Sequence, residues 1–205
     1  MAFTGAWPPA QARPAPAKPE TTLGTEDQKQ LLRLARQTLE FHFLKNRKAT
    51  PVDLGIAITP AMQQTMGAFV TLKERGDLRG CIGEIFPKRP LFEAVMDHAL
   101  NSALHDPRFS PVTAAELPQL EFEISALTPP RPVASYHEIV LGRHGMVLAK
   151  RGRSAVFLPQ VAPEQGWDLP TTLTHLAQKA GLRADDWKEG AEYLVFEAIV
   201  FHEKK

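Results

Sequence analysis

Apolar residues recur along the chain in two rhythms, and these divide it into helices and strands. Leu32, Ala35, Leu39 and Phe43 fall at helical spacing beside a second row of Leu31, Leu34 and Phe41. So wide a stripe predicts a helix packed firmly on a core. Its start is read at Thr25-Glu26-Asp27, with Thr25 as the cap and two acids at the positive end of the helix dipole.

From residue 67 the rhythm changes. Gly67-Ala68-Phe69-Val70-Thr71-Leu72-Lys73 has the β-branched and aromatic content of a strand, and Glu74-Arg75-Gly76-Asp77 supplies a turn. Residues 78–82 return as the second strand of a hairpin. Phe92, Val95, Met96, Ala99 and Ala103 then predict an inward-facing helix stripe from about Pro90, stopped at Asp106-Pro107. Leu120-Glu121-Phe122-Glu123-Ile124-Ser125-Ala126 alternates as a half-buried strand does. Short strands are expected at 146–150 and 154–158, and a helix at 171–180 ended by Gly181. Residues 193–202, apolar on both faces, read as one strand covered on two sides. Helices interspersed with hairpin-linked strands predict an α+β fold, a mostly antiparallel sheet flanked by helices.

Composition narrows the function classes. A chain of 205 residues favours one domain, or one with a small appended lobe. Residues 1–24, dominated by alanine and proline, are expected to be a disordered tail, with the folded domain over 25–205. A net charge of +1 offers no footprint for nucleic acid. No apolar run reaches the roughly 18 residues of a membrane span, and the first residues lack the pattern of a secretion signal. A single cysteine excludes an internal disulfide and a thiolate-rich metal site, and the expected location is the cytoplasm.

That cysteine stands in Leu78-Arg79-Gly80-Cys81-Ile82-Gly83. In a regular strand Arg79 and Cys81 share one face, about 7 Å apart, and a guanidinium at that range favours the thiolate. Gly80 and Gly83 uncover the backbone on either side, which suits close approach of a ligand or of another backbone. Arginine and free amides together would hold an anion. The alternative for a lone cysteine is a small buried hydrophobe.

Other candidates are weaker. Asp106 and Arg108 leave the second predicted helix, either reaching towards Cys81 or holding the local turn. His98 and His105 are two helical turns apart, about 10.5 Å, too far to share one ion, and they read as surface histidines. Glu121 and Glu123 read as the solvated side of a strand, and Lys150-Arg151-Gly152-Arg153 as a basic hairpin turn. No phosphate loop, zinc motif or calcium loop occurs, so neither a metal nor a cofactor is expected.

Several segments together carry a resemblance. Leu78-Arg79-Gly80-Cys81-Ile82-Gly83 is similar to the signature of the AMMECR-type domain family. Asp106-Pro107-Arg108-Phe109-Ser110-Pro111, Glu116-Leu117-Pro118 and Phe122-Glu123-Ile124-Ser125-Ala126-Leu127 resemble its pattern as well. So do Gly145-Met146-Val147-Leu148, Phe157-Leu158-Pro159-Gln160-Val161-Ala162 and Lys179-Ala180-Gly181-Leu182, in order from about residue 27 to 203. The resemblance implies two lobes with the 78–83 strand lining a cleft between them. It also implies partnership with a Memo-type protein or a radical S-adenosylmethionine protein, in a family without a settled activity. Many relatives carry a second cysteine where this chain has Leu176-Ala177-Gln178, so dithiol chemistry is not expected here.

The expected function is that of a cytoplasmic enzyme, or an enzyme component, acting on a small anionic or nucleotide-like ligand. Cys81 and Arg79 would be the catalytic pair, and Gly80, Ile82, Gly83, Asp106, Arg108, Ser125 and Gln160 the binding residues. The competing expectation is a non-catalytic adaptor that binds a partner protein.

Overall fold

The computed structural model describes residues 23–203. The expected tail therefore falls, for residues 1–22, outside the described residues. Its last two residues are ordered parts of the fold. Leu23 is buried, and Gly24, not Thr25, is the N-cap of α1 (Thr25–Lys45). Asp27 closes that end, accepting from the Gly24 N–H at 3.0 Å and from the Thr59 hydroxyl at 2.6 Å.

After α1 come the hairpin β1 (Gly67–Glu74) and β2 (Asp77–Glu84), then α2 (Leu91–Leu104), β3 (Leu120–Leu127) and β4 (Arg131–Val133). The chain continues through β5 (Gly145–Lys150), β6 (Arg153–Phe157), α3 (Val161–Gln165), α4 (Leu169–Lys179), β7 (Glu192–Phe196) and β8 (Ala198–His202). The strands make two antiparallel four-stranded sheets, ordered β2-β1-β3-β8 and β4-β7-β5-β6, so the fold is α+β as expected. Among the described residues no helix is long and apolar enough to cross a membrane.

The described chain divides into a larger unit, residues 23–127 with 199–203, and a smaller one, residues 128–198. One expectation fails here. Residues 193–202 are two strands, not one, and they part company at Glu197, whose backbone exchanges hydrogen bonds with Thr128. β7 is buried on both faces, whereas β8 leaves Val200 and His202 exposed. Two strands of different sheets abut in sequence, and their merged apolarity mimics one.

In the larger unit, α1 and α2 cover the sheet face made by Ala68, Val70 and Leu72 of β1 and by Leu120, Phe122 and Ile124 of β3. Arg36 of α1 fastens this layer to the sheet. It forms a two-pronged pair with Glu203 at 2.6 and 2.7 Å and donates to the Leu120 carbonyl at 2.7 Å. In the smaller unit, α4 packs on β6, and Lys179 reaches the Val156 carbonyl at 2.9 Å while lying over Phe157. Lys150 is not a solvated turn residue: it bonds Asp186 Oδ1 at 2.6 Å and two neighbouring carbonyls.

In the larger unit α2 and β2 approach each other closely. A Cβ at Gly80 would lie 2.1 Å from the Ser102 carbonyl oxygen. Any side chain there would push the helix off the sheet. Ser102 uses the same proximity: its hydroxyl donates to the Val70 carbonyl at 2.7 Å and accepts from the Ile82 N–H at 2.8 Å. The hydroxyl thus bridges the two strands at the Val70–Ile82 pair.

Gly80→Ala is expected to cost about 3 kcal/mol, because the obstacle is backbone rather than a movable side chain. Ser102→Ala should cost about 1–3 kcal/mol through the unpaired Ile82 amide and Val70 carbonyl. Urea unfolding with an unchanged slope checks both, and an unshifted midpoint for Gly80→Ala would contradict the close approach.

Candidate functional site

Cys81 owes its position to a register slip. The hairpin turn pairs Glu74 with Asp77 and Lys73 with Leu78, but beyond it Leu72 faces Gly80 and Thr71 faces Cys81. Arg79 is the unpaired extra residue, a β-bulge. Without it, Cys81 would oppose Val70 and lie beneath α2. With it, Gly80 turns towards the helix, and Cys81 joins Thr71, Lys73, Glu123 and Phe69 on the opposite face of the sheet.

The bulge also overturns the expected pairing of Arg79 with the thiol. A bulged residue breaks the alternation that would have put both on one face, and Arg79 is sent elsewhere. Its Nε donates to Glu116 at 2.8 Å and its Nη1 to the Ser110 carbonyl at 2.8 Å, with the side chain 14% exposed. Glu116, held below its usual range mainly by Arg79, also accepts from the Thr113 amide and hydroxyl. Arg79 is thereby committed to anchoring the loop after α2.

The guanidinium that acts on the thiol is Arg108. Burial is the largest influence on Cys81 and pushes its pKa up, opposed by a hydrogen bond from Thr71 at 3.2 Å and by the Arg108 charge. Asp106 and Glu123 add to the upward shift. The net direction is towards a neutral thiol, opposite to the activation expected from Arg79. Among the described residues no base stands in hydrogen-bond contact with the sulfur; its partner is the Thr71 hydroxyl.

Asp106 fills both of the roles weighed for it. Its carboxylate accepts from the Arg108 amide at 3.1 Å and Nε at 2.9 Å, which closes the local turn. It also accepts from the Cys81 N–H at 2.9 Å, while Arg108 Nη2 donates to the Cys81 carbonyl at 3.2 Å. Residues 106 and 108 therefore cap the outer edge of β2. The Cys81 amide goes to Asp106 and the Ile82 amide to Ser102, so neither is free to hold an oxyanion.

The remaining candidates fall in several places. Gly83 lies under the Phe69 ring, where a Cβ would come within 2.4 Å of the ring and 2.3 Å of the Ala68 carbonyl oxygen. Ile82 pairs with Val70, on the side that α2 covers. Ser125 faces Phe69 from β3 and is only 5% exposed. Gln160 belongs to the smaller unit, at the N-cap of α3. His98 is a correction: it is buried, with neither ring nitrogen hydrogen-bonded among the described residues, and burial lowers its pKa. The buried side of α2 includes Val95, Met96, Ala99 and Ala103 as expected, with Phe92 half-buried, and it is wide enough to take in Ala94, His98 and Ser102 as well. Among the described residues no cluster of three or more His, Cys, Asp or Glu could hold a metal.

Sequence reading missed Thr71, Lys73 and Ser102. Lys73 pairs with Glu123 at 2.9 Å on the same face as the thiol. The signal that would have found Thr71 and Lys73 was the register across the hairpin, which the bulge concealed.

A model of the AMMECR1 family matches residues 32–201. Two archaeal proteins whose names state no activity are close in sequence. One from Methanosarcina acetivorans is 40% identical over 85% of this chain and 90% of its own length. One from Methanopyrus kandleri is 39% identical over 89% and 91%. The crystal structure of an uncharacterized protein from Pyrococcus horikoshii superposes with a TM-score of 0.74 at 37% identity, covering 85% of this chain and 90% of that one.

Asp106 has the clearest pH signature. The Arg108 guanidinium, with the Cys81 and Arg108 amides, holds its carboxyl down to about 2 against the effect of burial. Because the folded value is depressed, the stabilisation is present above the unfolded value near 3.9 and is lost as pH falls towards about 2. Asp106→Asn should remove about 2 kcal/mol of stability at neutral pH and flatten the acid limb between about pH 4 and 2. Denaturant midpoints measured across that range check it.

Proposed function

This chain belongs to the AMMECR1 family, and we propose that the sheet face around Cys81 is a binding site for a small anionic, nucleotide-like ligand. The observation that carries this reading is the half-buried polar set Thr71, Lys73, Cys81 and Glu123 on one face, with the exposed Arg108 beside the thiol. Arg108 supplies charge for an anionic group, and Phe69, half-buried over Gly83, supplies an aromatic surface for a flat ring.

In this reading the thiol stays protonated and serves as a contact rather than an activated nucleophile. Attack by sulfur needs the thiolate, which burial opposes. The protein is then the ligand-binding component of an enzyme system located in the cytoplasm. A Memo-type protein and a radical S-adenosylmethionine protein are the partners that the family resemblance implies. The adaptor reading is favoured by one feature, the exposed Leu78 at 42% on the same strand, which would suit a partner protein.

Calorimetric titration with AMP and ATP as probes tests the proposal. Arg108→Gln should weaken binding about tenfold, and Cys81→Ser should stay within about threefold of wild type. Failure of both nucleotides to bind, with Leu78→Asp abolishing capture of a Memo-type partner, would replace it with the adaptor reading. Alkylation of Cys81 by iodoacetamide is expected to run slower than that of free cysteine at about pH 8. Faster alkylation would restore the nucleophile.

A further inference from the structure

A concavity that Cys81 does not line lies in the larger unit, between the first three turns of α1 and the ends of β3 and β8. It is an open groove of about 870 Å³, within the size range of small-molecule sites. Its floor is apolar, made by Leu32, Pro118, Leu120 and Phe201. Its rim is basic, with Lys29, Arg33 and Arg75 against the carboxylates of Glu121 and Glu203. Glu203 is committed to Arg36, and Arg36 is committed in return to Glu203 and two carbonyls, so that pair belongs to the fold.

The rim cations are differently placed. Arg33 has no hydrogen-bond or ion-pair partner among the described residues and is exposed. Among the described residues Lys29 meets only Glu26, at 3.7 Å with both side chains mostly in solvent. Among the described residues the Arg75 side chain makes one hydrogen bond, to Gln119 at 3.1 Å. Arg75 also occupies the first central position of the β1–β2 turn with φ 54°, followed by Gly76 at φ 88°. That position prefers Asn, Asp or Gly, so arginine there costs the hairpin stability. Its charge reaches the groove rim.

We propose that this groove binds an anionic amphiphile, a molecule with an apolar body and a carboxylate, sulfonate or phosphate head. The body lies on Leu32, Leu120 and Phe201, and the head meets Arg33 and Arg75, with Lys29 beyond them. The chain's own first 22 residues do not complement such a rim: they carry Arg13 and Lys18 against Glu20, a net charge of +1.

Fluorescence titration of the full chain with 8-anilinonaphthalene-1-sulfonate tests this. Wild type should bind the probe, and Arg33→Gln and Arg75→Asn should each weaken it about five- to tenfold. Decanoate should displace it, whereas decanol and inorganic phosphate should not. Arg75→Asn should melt at or above the wild-type temperature, since asparagine tolerates the positive φ. Lost affinity in a protein that is no less stable separates a binding role from a structural one. Equal probe binding by wild type and both variants, no binding by the folded chain, or displacement by decanol as effective as by decanoate would overturn the proposal.

Discussion

The larger unit turns on a single residue that has no partner in the ladder. Arg79, as a β-bulge, shifts the second half of β2 by one position against β1. Side chains in a strand alternate with period two, so this one step exchanges the faces of everything beyond it. Gly80 goes under α2, where only a hydrogen in place of Cβ lets the Ser102 carbonyl approach. Cys81 goes to the other face, beside Thr71. The bulge is held by the arginine itself, whose guanidinium grips Glu116 and the Ser110 carbonyl in the loop beyond α2.

From that geometry the electrostatics follow. The loop fastened by Arg79 carries Asp106 and Arg108, and these two close the outer edge of β2 at Cys81. An edge strand with unpaired amides would be a template for another chain or a cradle for an oxyanion. Here a carboxylate and a guanidinium take those positions. Arg108 pulls the thiol pKa down, but burial and the carboxylates of Asp106 and Glu123 outweigh it and the Thr71 hydrogen bond. The net direction is towards the neutral thiol, set by burial more than by any neighbour.

Much of the fold was legible because it rests on local periodicity. The stripe of α1, the alternation of β3 and the turn residues between β1 and β2 each declare their element within one window of sequence. Errors arose where a pattern ran across a boundary that periodicity does not mark. β7 and β8 read as one strand because their apolar residues are contiguous, although the chain changes sheets at Glu197. His98 was assigned to solvent because it stands outside the apolar stripe of α2, which buries Val95, Met96, Ala99 and Ala103 as expected, but the covered face is wide enough to take in His98 and Ser102 too.

The sequence by itself determined the α+β composition of elements and the family to which the chain belongs. These are encoded by residue type and spacing within short stretches. Only the tertiary structure decided which way Cys81 faces, which arginine acts on it and which amides are occupied. Each of those depends on a one-residue offset between strands and on contacts between residues 25 to 37 positions apart, as in Cys81–Asp106 and Arg79–Glu116. The basic groove is more distant still from any local pattern. Its walls come from α1, the β1–β2 turn and the ends of β3 and β8, and they form a groove only when packing brings them together.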